Sequence, residues 1–223
     1  NRWRLEKKDP TAAMSEPVTP ITYWLDRNIP VKYRASITKG ILEWNKAFEK
    51  IGFKDAIVVK QQPDDADFDT LDVGVASVRW MTNAQPQFGA IGPSQVDPRS
   101  GEILDADIGF ESLSSRSVRT IRSQVLNGRV SAQDQSNDWR ALMQLPLDAA
   151  TANTSPGEQK LAELMAGRAR GEICEHGAFA AEQLNYAFDV LEARGEVDPD
   201  SPEAEQFVQD YLTDTTMHEV GHT

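Results

Sequence analysis

Two histidines four residues apart, with a glutamate directly after the first, are the residues of this chain whose types and spacing can do chemistry: His218-Glu219-Val220-Gly221-His222. On an α-helix such positions share a face with their Cβ atoms roughly 6 Å apart, so both imidazoles can present a ring nitrogen to one metal ion. Zinc accepts that arrangement at about 2.0–2.1 Å per nitrogen. Glu219 lies about 100° further round the helix than His218, off the metal but within reach of a water on it. It can take that water's proton as general base, while the metal lowers the water's pKa and polarises a carbonyl under attack. The chain has only three histidines, and composition alone puts two of them around a glutamate at this spacing with odds below about one per cent.

The element that must carry the motif is well signalled. Ser201 is a good N-cap, Pro202 suits the first helical position, and Glu203 and Glu205 lie where the helix dipole favours acids. Phe207, Val208, Tyr211 and Leu212 give this helix an apolar side. Upstream, Ile21 to Leu25 is β-branched and aromatic, hence a first strand. Between Val31 and Ile51, apolar residues Ile37, Ile41, Trp44, Phe48 and Ile51 recur at alternating spacings of four and three, the face of one long helix that Gly52 closes. Ala56 to Lys60 and Leu71 to Met81 read as two further strands. A hairpin follows, Gly89 to Val96 and Glu102 to Phe110, around a turn at Asp97 to Gly101. Its second strand alternates Leu104, Ala106, Ile108 and Phe110 with Asp105, Asp107 and Gly109, which predicts an edge strand. Helices are expected at Ser112 to Leu126, Glu158 to Ala169 and Ala178 to Ala193, with a polar surface excursion from Asn127 to Gly157. Together these make an α/β fold with a mixed, mostly parallel twisted sheet, an antiparallel edge strand, a long backing helix and the motif-bearing helix.

The final residues resemble the metzincin zinc metallopeptidases, in particular the large bacterial zinc-dependent metalloproteases whose active helix reads like HEVGHTLGLRHN, to which His218 to Thr223 correspond letter for letter. The segment Gly92 to Ile108 (GPSQVDPRSGEILDADI) is similar to the edge-strand hairpin of that fold. The resemblance implies a zinc-dependent endopeptidase acting on polypeptides outside the cytoplasm, with His218 and His222 as Zn²⁺ ligands and Glu219 as general base. It also implies that residues 20–223 are the N-terminal part of a catalytic domain, with an insertion at about 112–200 and the C-terminal subdomain missing. In the family pattern a third histidine follows the second by six residues, so this piece alone is expected to bind zinc weakly and not to turn over. The substrate peptide would lie beside the edge strand, at Ile103, Leu104, Asp105, Ala106 and Asp107. A solvated edge guarded by two acids is the plainer reading of the same residues.

Composition narrows the field further. The 223 residues carry a formal charge of -12, which repels phosphate backbones and anionic lipid headgroups, so nucleic acid is not an expected partner. No apolar run approaches a membrane-spanning length. A single cysteine, Cys174, excludes an intrachain disulfide framework. Residues 1–19 read as a linker or the end of a preceding domain, and both chain ends read as cuts in a longer protein. Asp65, Asp67 and Asp69 mimic the opening of a calcium loop, but Thr70 and Ala76 stand where glycine and glutamate are required. Cys174 and His176 are too few for a metal site on their own, and Trp24, Trp44 and Trp80 are expected in the core. Two other readings remain open: a peptidase whose third ligand is a glutamate on a later helix, and a non-catalytic binding or scaffold domain that retains a zinc-binding helix.

Overall fold

A computed structural model describes residues 1–82, 89–112, 174, 176–198 and 201–223. The chain divides into two compact units, Asn1–Val118 with His176–Thr223, and Arg119–Glu175. Every element below belongs to the first. The second unit falls within the expected insertion, and the helix anticipated at Ser112 to Leu126, past its first residue, and that at Glu158 to Ala169 lie outside the described residues.

The sheet is mixed and mostly parallel. Strand β1 (Ile21–Leu25) pairs in parallel with β2 (Ile57–Gln61) on one side and β3 (Ser77–Met81) on the other. Beyond β3, in parallel, lies β6 (Ile103–Glu111), and β4 (Ala90–Ile91) and β5 (Ser94–Val96) both run antiparallel to β6. Parallel neighbours need a crossover, supplied between β1 and β2 by helices α1 (Val31–Leu42) and α2 (Asn45–Lys50). The expected single long helix is thus two, divided at Glu43 and Trp44, where the Trp44 indole turns to donate from Nε1 to the Met217 carbonyl at 2.7 Å.

Helices α3 (His176–Ala193) and α4 (Pro202–His222) complete the unit. Ile21, Tyr23 and Leu25 of β1 alternate inward to meet Ile37 and Ile41 of α1 and Leu212 of α4 in one core. Burial of a side chain such as Leu212 is worth roughly 1.5–3 kcal/mol, which ties the motif-bearing helix firmly to the sheet. Helices α1 and α4 approach closely at Gly40, where a Cβ would lie 2.5 Å from the Thr213 carbonyl oxygen. Ser201 caps α4 as its sequence predicts, accepting the Ala204 N–H at 3.2 Å, with Pro202 in the first turn. Ser201→Ala should lower stability by about 1 kcal/mol in denaturant unfolding, while Ser201→Asp should restore it.

Several expectations are corrected. The strand expected to be an edge is an inner one: β6 pairs with β3 along Asp107–Glu111 and with β4 and β5 on its other side, so the edge is β4–β5. Asp105 is 1% exposed rather than facing solvent, and Asp107 is half-buried with its Oδ1 accepting from Ser77 Oγ at 2.6 Å. Of Leu71 to Met81 only Ser77–Met81 is a strand. Residues 1–19 are in contact with the rest of the unit: Ile103 donates its N–H to the Arg2 carbonyl at 2.8 Å, Ser15 bridges to Phe53, and Trp3 meets the Tyr23 ring edge-on. Trp44 and Trp80 are half-buried and pack against the core as expected, whereas Trp24 lies against Phe68 and under the Lys60 ammonium. Asp65, Asp67 and Asp69 are exposed, in keeping with a solvated acidic loop.

Candidate metal centre

The helical spacing of His218 and His222 places their Nε2 atoms 3.0 Å apart, with the ring planes at 78°. Two nitrogens on a tetrahedral zinc, each about 2.0–2.1 Å from it, are about 3.3 Å apart, so a small opening of this pair accommodates one ion. His218 is half-buried and His222 exposed. Burial, followed by the neighbouring His176 and His222 rings, holds the His218 pKa below its ordinary value of 6.5, so its imidazole is neutral near neutral pH. Neutral imidazole is the form that ligates a metal.

Glu219, the residue after His218, is fully buried, yet near enough to His222 and His176 for both to act on its carboxylate. Among the described residues neither of its carboxylate oxygens has a hydrogen-bond partner. A buried carboxylate in that state is costly, and burial raises its pKa above the ordinary 4.5, against the opposing influence of His222 and His176. Its neighbour is Gly92, in the link between β4 and β5, where a Cβ would lie 2.5 Å from the Glu219 carbonyl oxygen and 3.3 Å from Oε2. Glycine at 92 therefore lets the edge of the sheet run directly past the acid.

The sign of the resulting pH dependence follows from linkage. A raised native pKa means that the metal-free native state binds a proton more readily than the unfolded chain. Between the ordinary 4.5 and the raised value, stability from this group falls as pH rises, and the full cost stands above that window. Metal-free Glu219→Gln should therefore be more stable than the parent in denaturant unfolding at pH ~7, with the difference closing at pH ~4.

Sequence reasoning did not bring the third histidine to this place. His176, the first residue of α3, stacks on His218 with ring centroids 3.9 Å apart and planes 12° from parallel, and its Nε2 lies 3.1 Å from Asp214 Oδ2. All three histidines of the chain thus gather at one end of α4. The reading of the sequence missed Asp214 as well, although its place one turn before His218 is a local signal, and nothing local marks His176. The three rings open on a cleft of about 660 Å³, also lined by Trp44, Lys46 and Lys50. Cys174 belongs to the second unit.

The end of α4 is pinned from below. Tyr23 OH lies 2.5 Å from Thr223 Oγ1, which itself donates to the Val220 carbonyl at 2.8 Å, so the phenol is the donor of the pair. Burial pushes the Tyr23 pKa up to about 12, so the phenol stays protonated and holds that bond. Trp44 clasps the helix one turn earlier, with Gly221 leaving room for its ring.

Ile103, Leu104, Asp105, Ala106 and Asp107 lie together on β6, with β5 beside Ile103, Asp105 and Ala106. Among the described residues no helix is long and apolar enough to cross a membrane. Comparison with known proteins finds no matching family model, no matching curated protein and no matching solved structure.

Proposed function

We propose that this chain carries the zinc-binding helix of a zinc-dependent endopeptidase, in which His218 and His222 hold the metal and Glu219 is the general base. The observation that carries the reading is the pairing of two imidazole nitrogens 3.0 Å apart with a buried glutamate that has no partner among the described residues. A carboxylate kept at the cost of such burial fits a proton acceptor whose partner arrives with the substrate and the metal. Bound Zn²⁺ would supply a Lewis acid that lowers the pKa of the attacking water and polarises the peptide carbonyl. Glu219 would accept the proton of that water on a carboxylate oxygen and return it to the leaving amine, a step its raised pKa favours. His218 and His222, on a helix anchored at Gly40, Trp44 and Tyr23, would keep the two donor nitrogens in place.

The sheet order supports the same reading, because the antiparallel edge passes Glu219 at Gly92. Since β5 already occupies one side of β6, the edge of the sheet is β4–β5, which pairs as a strand only with β6 among the described residues and is met by Gly177 of α3 at Ala90. Substrate is thus proposed to add along Ile91 to Val96 rather than directly on Ile103 to Asp107. By the resemblance of its last residues, the third ligand is a histidine past Thr223, and the protein works outside the cytoplasm. Residues 1–223 alone are then proposed to bind zinc without turning over peptides.

The test is peptide hydrolysis by the full-length protein that contains this chain, beside a zinc titration of the chain itself. Zinc bound by the chain and lost on His222→Ala supports the reading. A chain that binds no zinc, or an activity indifferent to Glu219→Ala, would favour the scaffold alternative.

A further inference from the structure

We propose that His176 is a positioning residue for the metal, holding the His218 imidazole in its ligating orientation by stacking on it from α3. The inference rests on the zinc reading above and concerns how the site is prepared. The His176 ring covers one face of the His218 ring at 3.9 Å and 12°. It is itself anchored, its Nε2 facing Asp214 Oδ2 at 3.1 Å, one turn before His218 on α4. An imidazole covered in this way has less freedom to rotate away from the position where its Nε2 faces that of His222 at 3.0 Å. Fixing the ring before the metal arrives removes part of the ordering cost of binding.

His176 is not a ligand in this geometry. The lone pair of an imidazole nitrogen lies in the ring plane, and the His176 plane is stacked over that of His218 rather than converging with it. Its Nε2 is committed to Asp214. The more usual support of a metal-ligating histidine is a carboxylate bonded to its second nitrogen. Here the carboxylate acts one residue further out, through a stacked ring.

Zinc affinity of the 223-residue chain, measured by competition with a chromophoric chelator, tests this, with the visible spectrum of bound Co²⁺ as a report on the ligand set. His176→Ala should weaken zinc about 10-fold or more, and His176→Phe, which keeps a ring over His218, should stay within about threefold of the parent. The Co²⁺ spectrum should keep its shape in both, since no ligand is removed. Asp214→Ala, which frees the ring without deleting it, should weaken zinc in the same direction by less, and serves if His176→Ala does not fold by circular dichroism. Unchanged affinity in His176→Ala, or in Asp214→Ala where that variant serves, overturns the proposal. Equal losses in the alanine and phenylalanine variants also overturn it, and with an altered Co²⁺ spectrum they make His176 a ligand instead. A parent chain that binds neither ion overturns the zinc reading itself, and this inference with it.

Discussion

Glu219→Gln in the full-length protein should retain zinc and lose peptide hydrolysis by about 10²–10⁴-fold, the range expected when a general base is removed. The substitution keeps the shape of a fully buried side chain, so the packing of α4 against the sheet is preserved. What it removes is the proposed proton acceptor, whose oxygens have no hydrogen-bond partner among the described residues in the parent. The loss should fall on kcat, because a base acts on the chemical step rather than on holding the peptide. A metal content equal to that of the parent, measured on the same sample, separates this from loss of the site.

His222→Ala and His218→Ala should each abolish stable zinc binding and, in the full-length protein, hydrolysis with it. With two imidazoles 3.0 Å apart as the proposed donors, deletion of one leaves a single ring of that pair. The two variants should differ in stability. His222 is exposed and its loss should leave unfolding almost unchanged, whereas His218 is half-buried under the His176 ring and its truncation removes packing as well. Thermal unfolding in the presence of a chelator reads that difference without the metal.

What was legible in the sequence is what local chemistry determines. Ser201, Pro202 and the following acids mark the start of α4, and the cap geometry is as those residues demand. The β-branched and aromatic run Ile21 to Leu25 marks a strand, and β1 is that strand. The alternation of β6 misled because a polar face was read as a solvent face. Asp107 is instead satisfied by Ser77 on the neighbouring strand, a partner thirty residues away that no local pattern reveals. Pro93 and Gly92 broke the edge into two short strands, and the value of Gly92 emerges only once Glu219 is placed against it. The same holds for the candidate metal centre. His218, Glu219 and His222 share one helix turn and were legible by spacing, while His176 meets Asp214 across thirty-eight residues of chain. Packing of residues 1–19 on the core depended on Trp3 finding Tyr23, a tertiary contact within a stretch whose composition is that of a linker.

Removal of metal from the full-length protein with a chelator, followed by a peptide-hydrolysis assay before and after Zn²⁺ is restored, tests the central claim most directly. Hydrolysis should stop on chelation and return with zinc. Hydrolysis that continues at the parent rate in the metal-stripped protein would contradict it.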